Sequence, residues 1–206
     1  IATTRLTIAD LYHQQGEQLS ALETLDFIVS VPDLPNELVI QAYRKKASIL
    51  SESERYQEAA DTYAALGRFT EENQAELEGT KNLLILQLVK KALKDRKVGE
   101  TRIAAKSLKH LIDQYPESVE AHRAYIETKV MLKDTTEVQV WYATLVKTHP
   151  DHAVYQYGQA LALSYTEPPD LPLVIRLLQR AMKKDPALGY VHQTLGWAYE
   201  QTERTS

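Results

Sequence analysis

Two histidines on either side of a turn are the residues in this sequence that most resemble metal ligands. His149 and His152 form an H-x-x-H pattern across Pro150 and Asp151. As zinc ligands they would need a third partner and a fixed tetrahedral geometry. The simpler interpretation is a polar turn between two repeats, so we expect no bound metal.

Closely spaced carboxylates are the second group to which chemistry might be assigned. Glu52, Glu54 and Glu58 form one cluster and Glu71–Glu72 another, but acidic residues at helix starts simply complement the helix dipole. The sequence contains no glycine-rich phosphate loop, no G-x-S-x-G and no H-E-x-x-H motif. It has no Cys, which excludes a thiol nucleophile and a zinc-thiolate site. We therefore expect no enzymatic activity and no cofactor.

The composition is that of an ordered protein. Of the 206 residues, 44% are hydrophobic and 25% are charged, which is too apolar for disorder. The net charge of −4 argues mildly against nucleic acid, because its binders are usually basic. The longest apolar run, 83–89, falls far short of the roughly 18 residues that cross a bilayer, so no membrane insertion is expected. Cytoplasm and periplasm both suit a chain without Cys.

The charges are distributed in two adjoining blocks of opposite sign. Residues 51–80 hold eight acids and two bases, and residues 81–110 hold nine bases and two acids. We expect neighbouring helices to compensate each other's charge at the surface, where each exposed pair contributes only about 0–1 kcal/mol. The alternative is a basic patch that docks an acidic protein segment or nucleic acid.

Three prolines mark a repeat in the C-terminal half. Pro116, Pro150 and Pro186 are 34 and then 36 residues apart, and proline cannot continue a helix. Side chains recur twelve, eight and five residues before each proline, and spacings of four and three place them on one helical face. They are Ala104, Val138 and Val174; Leu108, Tyr142 and Leu178; and Leu111, Leu145 and Ala181. Helices are predicted to end near these prolines.

The N-terminal half has the same organisation with looser spacing. Residues 8–28 predict a helix, a tight turn at Gly16 and a second helix, and residues 43–66 repeat this pattern. Residues 71–95 predict one extended helix, followed by another over 101–114. A last helix is expected over about 188–202. Small residues are expected where helices approach closely, at Ala9, Ala47, Ala59, Gly158 and Gly196.

The residue types in these units resemble the tetratricopeptide repeat, which places Leu-Gly and Tyr on its first helix, Ala on its second and Pro at its end. Residues 152–199 match best, and Lys46 and Lys91 depart from the pattern by replacing the usual Leu. The resemblance covers nearly the whole chain. The matching residues are Tyr157-Gly158, Leu161, Ala181, Pro186, Leu195-Gly196 and Tyr199.

This resemblance implies an all-α fold: a right-handed α-solenoid of antiparallel helix pairs, with about eleven helices. Stacked pairs of this kind bury a continuous core that a single pair lacks. We expect one repeat array over residues 1–206, with approximate units 2–34, 35–68, 71–116, 117–150, 151–186 and an incomplete 187–206. Because the sequence starts at Ile1 and not at Met, we expect a piece of a longer protein.

The resemblance also implies a function. In this family the first helix of each pair lines a concave groove that binds a peptide or helix of a partner protein, so we expect a non-catalytic protein-interaction scaffold. Its basic clamp for chain termini is missing here, which favours a neutral, internal peptide segment. An equally open interpretation is that two of the candidate residues, Tyr155 and Tyr190, pack between neighbouring helices. The family's contact positions, carried onto the two best-matching units, are Tyr155, Gln156, Gln159, Tyr190, Gln193 and Trp197.

A structural or assembly role is the alternative function. The helix near the C-terminal end lacks a following partner helix in this sequence, and its apolar residues Leu195, Ala198 and Tyr199 would then seek cover. In that case the array would self-associate through its ends or join the domains of a larger complex.

Overall fold

The computed structural model describes residues 2–70, 74–97 and 99–205. These residues form eleven α-helices and no β-strand, which confirms the predicted all-α class. The chain divides into two compact units, one ending at Lys91 and the other beginning at Ala92. A single array over residues 1–206 remains a prediction. No helix in the described part of the chain has the length and apolarity that spanning a membrane requires.

The first unit is built from successive packed helices, with α1 on α2, α2 on α3 and α3 on α4. The α1–α2 turn contains Gly16 at φ +79°, a backbone conformation that favours glycine, so the turn predicted there is confirmed. The extended helix predicted from residue 71 is present from Gln74, and residues 71–73 lie outside the described residues. The helices are α1 (Ala2–Gln14), α2 (Gln18–Ser30), α3 (Asn36–Glu52), α4 (Tyr56–Gly67) and α5 (Gln74–Lys97), whose last turns belong to the second unit.

The second unit contains the three helix ends that the prolines predict. Gln114, Thr148 and Lys184 each end a helix two residues before a proline, which confirms the predicted boundaries. The six helices are α6 (Thr101–Gln114), α7 (Val119–Met131), α8 (Thr135–Thr148), α9 (Ala153–Ser164), α10 (Leu171–Lys184) and α11 (Gly189–Thr205). Here α7 packs on α6, α8 and α9, while α9 also packs on α8, α10 and α11. The helices α7, α9 and α11 are therefore neighbours in the order of the chain.

A glycine and a buried tyrosine fix α9 against α8. Gly158 lies so close to the Tyr142 ring that a Cβ on this glycine would be 2.1 Å from Tyr142 Cε1. The Tyr142 hydroxyl donates to His122 Nδ1 at 2.6 Å, because His122 Nε2 donates to the Pro116 carbonyl at 2.9 Å and carbonyls only accept. Burial lowers the pKa of His122 to about 4. The imidazole is therefore neutral and bonded through both nitrogens.

The small residues expected at close helix contacts behave as predicted, with one exception. Ala9, Ala47 and Ala59 are buried, as is Gly158. Gly196 is exposed, and a Cβ there would meet no atom within 4 Å. The prediction for this glycine is wrong because no side chain from a neighbouring helix reaches it.

Candidate partner-binding groove

A recurring hydrogen bond sets the register at the start of α7, α9 and α11. In each case the side chain six residues after a proline bonds to the carbonyl of that proline. His122 bonds to Pro116 at 2.9 Å, Gln156 Nε2 donates to Pro150, and His192 Nε2 lies 3.4 Å from the Pro186 carbonyl. Each proline is therefore a structural landmark from which positions on the following helix can be counted.

Counting from these landmarks reveals two rows of equivalent positions. Seven residues after the prolines stand Arg123, Tyr157 and Gln193, and eleven residues after them stand Glu127, Leu161 and Trp197. Positions four apart share a helix face. All six side chains line one cavity of about 420 Å³, which we call the three-helix groove. Its other lining residues are Ser164, Tyr165 and Thr194.

The α7 wall of the three-helix groove is charged but internally compensated. Arg123 Nε donates to Glu127 Oε1 at 2.9 Å, and Arg96 Nη1 lies 3.9 Å from Glu127 Oε2. The guanidinium carbon of Arg123 is 4.8 Å from the ring centroid of Tyr190 on α11, a cation–π distance. These contacts hold the arginine across the groove, so it is directed by protein groups before any ligand arrives.

The remaining walls of the groove are aromatic and uncharged. Burial raises the pKa of Tyr157 to about 12, an effect that a hydrogen bond with Thr194 partly opposes. Burial also raises the pKa of Tyr165, whose side chain opens toward solvent with 40% of the residue exposed. Both phenols therefore remain protonated at neutral pH. Tyr157 is fully buried, so Tyr165 and half-buried Trp197 provide the accessible apolar area, with a hydroxyl and an indole donor.

The structure brings together the predicted residues of α11. Gln193 is exposed and Trp197 is half-buried, and both line the three-helix groove. Tyr190 lies beside it, beneath the Arg123 guanidinium. Gln193 and Trp197 are therefore accessible from this groove, whereas Tyr190 supports its Arg123 wall.

The predicted residues of α9 are placed differently. Tyr155 is buried, stacks on His152 with ring centroids 3.6 Å apart and contacts His122 and His149. Gln156 is also buried and bonds to the Pro150 carbonyl. Gln159 is half-buried and is not among the residues that line the groove. Tyr155 and Gln156 are therefore not among the residues that line the three-helix groove.

A shift in register explains this difference between α9 and α11. The match to the repeat aligned Gly158 with Gly196. Counted from the preceding proline, the residue equivalent to Gly196 is instead Ala160, because each lies ten residues after its proline. The correction moves the equivalent α9 positions to Tyr157 and Leu161. The same offset from Pro116 would have identified Arg123 and Glu127 on α7, which the sequence analysis missed because residues 118–148 match the repeat in spacing but not in residue type.

The histidine pair at the α8–α9 turn is engaged by protein groups. His152 Nε2 lies 3.0 Å from Glu117 Oε1, and His149 Nδ1 lies 2.9 Å from the Thr148 hydroxyl. Burial lowers the pKa of His152, which the Glu117 carboxylate partly opposes. Within the described ranges, no group of three or more His, Asp or Glu side chains is arranged to hold a metal ion.

Comparison with solved structures returns helical-repeat proteins. YrrB, a tetratricopeptide repeat protein with an unusual peptide-binding site, is 18% identical over 94% of this chain and 91% of that chain, with a TM-score of 0.40. A tetratricopeptide repeat protein from Parabacteroides merdae is 15% identical over 98% and 73%, with a TM-score of 0.47. TTC0263, a tetratricopeptide repeat protein from Thermus thermophilus, is 14% identical over 97% and 99%, with a TM-score of 0.43.

No protein-family profile matches the chain, and no curated protein matches it.

Proposed function

We propose that this chain is a non-catalytic scaffold that binds a segment of a partner protein in the three-helix groove. The carrying observation is that positions seven and eleven residues after three successive prolines line one cavity. A surface built from equivalent positions on adjacent helices can follow an extended segment over several residues. The groove thus combines a repeated geometry with the aromatic area that interfaces favour.

The chemistry of the groove indicates a neutral ligand segment. Arg123 and Glu127 compensate each other, so neither a strongly acidic nor a strongly basic segment gains a free countercharge. Gln193 is exposed and, in the part of the chain that the structure describes, its amide has no hydrogen-bond partner. An amide both donates and accepts, so it can pair with the backbone of an extended peptide. Trp197 and Tyr165 would hold an apolar side chain.

The alternative role, self-association through α11, retains only one of the three exposed apolar residues on which it depended. Leu195 and Ala198 are buried, at 8% and 0% exposure. Tyr199 alone of the three predicted residues is exposed, and its hydroxyl accepts a hydrogen bond from Gln179 at 2.9 Å. We therefore propose the binding role first.

The test is affinity capture with the wild-type chain and two groove variants. Trp197→Ala removes an aromatic anchor and is expected to weaken the binding of a captured partner by about 2 kcal/mol or more. Gln193→Glu adds a charge at an exposed position without disturbing the core and should weaken a neutral ligand. Tyr199→Ala is the matched control, because it removes an exposed aromatic from the same helix outside the groove.

Thermal unfolding first establishes that each variant is folded. Loss of the same partners from both groove variants, with retention by Tyr199→Ala, supports the proposal. Equal capture by all four proteins would exclude the three-helix groove as the binding surface.

A further inference from the structure

A second surface of the same unit lies on α6, α7 and α8 and shares no lining residue with the three-helix groove. Its first rim is the outer face of α6, where Arg102 and Lys106 are exposed one helical turn apart. Neither side chain has a hydrogen-bond or ion-pair partner among the described residues. Lys109 continues the rim but pairs with Asp113. Two unpaired cations therefore face solvent at a spacing of four residues.

A cavity of about 460 Å³ separates this rim from an acidic one. The acidic rim consists of Asp134 and Glu137, whose side chains are 46% and 68% exposed. Lys129 lies between them with its side chain 9% exposed, and its Nζ is 2.9 Å from Asp134 and 2.7 Å from Glu137. A buried ammonium therefore holds both carboxylates in place, and their outer oxygens stay available.

The floor between the rims is apolar. Ala105, Tyr125 and Leu132 line it, and Ala105 and Tyr125 are buried at 7% and 6% exposure. The surface thus combines a basic rim, an apolar floor and an acidic rim. A ligand that fits it must carry acidic groups on one edge, apolar groups in the middle and a basic group on the other edge.

We propose that this surface docks a mixed-charge amphipathic helix of a partner protein. Glutamates four residues apart on a helix face lie about 6 Å from each other, which matches the spacing of Arg102 and Lys106 on α6. A lysine or arginine on the opposite edge of the same helix would face Asp134 and Glu137. The apolar stripe between these edges would lie over the cavity floor.

Protein fits this surface better than nucleic acid does. The acidic rim would repel a phosphate backbone that followed the basic rim. Tyr125 is buried, and the ring of Trp141 is covered by Lys109, whose Nζ is 4.6 Å from its centroid. These aromatics are consequently not free to stack on bases in the way that single-strand binders require.

The experiment uses a designed probe and the full chain. The probe is an alanine- and leucine-based helical peptide with glutamates four residues apart on one edge and lysines on the other. Binding is measured by chemical-shift titration of the ¹⁵N-labelled chain at low and high salt. The double variant Arg102→Glu, Lys106→Glu should lower the affinity for the peptide roughly tenfold. The double variant Lys147→Glu, Lys183→Glu is the control, because it changes the net charge by the same amount.

A second peptide of the same composition, with glutamates and lysines mixed on both edges, separates a specific site from general attraction. It should bind the wild type more weakly than the first peptide does, because neither of its edges matches a rim of one charge. Shifts confined to α6, α7 and α8 with this pattern support the proposal. It is overturned if the peptide does not bind saturably, if both double variants lose equal affinity, or if a single-stranded oligouridine binds this surface more tightly than the peptide.

Discussion

Replacing Gly158 by alanine tests the packing that positions α9 and hence the three-helix groove. The new Cβ would be 2.1, 2.6 and 2.8 Å from three atoms of the Tyr142 ring, far inside van der Waals contact. The ring has no room to yield, because it is fully buried and contacts Trp141 at 4.8 Å between centroids. Moving it would also stretch its hydrogen bond to His122.

The expected loss of stability follows from the steric clash and from the stretched hydrogen bond. Overpacking a core costs about 1–3 kcal/mol, and leaving a buried hydrogen-bonding group without its partner costs about 1–3 kcal/mol. Alanine returns about 0.5–1 kcal/mol through its higher helix propensity. We therefore expect Gly158→Ala to lower the free energy of unfolding by about 2–4 kcal/mol, measured by urea denaturation with circular dichroism detection.

Gly196→Ala is the matched control, since a Cβ at Gly196 meets no atom within 4 Å. It should stabilise the chain by about 0.5–1 kcal/mol. In a Tyr142→Leu background, the penalty of Gly158→Ala should shrink, because the ring that clashes is gone. A Gly158→Ala variant as stable as the wild type, or equal changes in stability for both alanine variants, would contradict this packing.

Three further predictions concern buried polar groups in the second unit. Because the pKa of His122 is about 4 in the folded chain against 6.5 as the ordinary value, the unfolded chain binds more protons between these values. The stability associated with this group is full above pH 6.5 and falls by about 3 kcal/mol as the pH drops to 4. His122→Gln should flatten that slope in denaturation measured across pH, and an unchanged slope would contradict the assignment. Lys129→Met should lower the free energy of unfolding by less than about 1 kcal/mol, because Asp134 and Glu137 remain hydrated. Lys129→Ala should lower it by about 2 kcal/mol. Equal losses of stability for the two variants in denaturant would contradict this. Tyr157→Phe removes the hydrogen bond to Thr194 and should therefore lower the stability by about 1 kcal/mol. The pH dependence of unfolding should stay unchanged.

The helix boundaries were accessible from sequence because proline acts locally. It removes an N–H and blocks the preceding turn whatever surrounds it, so Pro116, Pro150 and Pro186 marked the ends of α6, α8 and α10. The tight turn at Gly16 was predictable for the same reason, since it depends on a local backbone conformation. These features do not require knowledge of which helices meet.

The groove residues depended on contacts that the sequence does not display. The Tyr142 ring occupies the space that a Cβ at Gly158 would need, whereas Gly196 faces solvent. In the sequence alone, the two glycines look alike. Gln156 resembles a ligand-binding amide, yet it bonds to the Pro150 carbonyl. The offset from the preceding proline, six residues for Gln156 and seven for Gln193, distinguishes the two amides.

Binding in the three-helix groove is tested most directly by site-specific photo-crosslinking to the partner that affinity capture identifies. A photoreactive p-benzoylphenylalanine is placed at Tyr165, which opens into the three-helix groove, and in a second protein at Tyr199, which lies outside it; the two residues are similarly exposed, at 40% and 44%. We expect a crosslink from position 165 that Trp197→Ala abolishes, and none from position 199. A crosslink from position 199 alone would contradict binding in the three-helix groove.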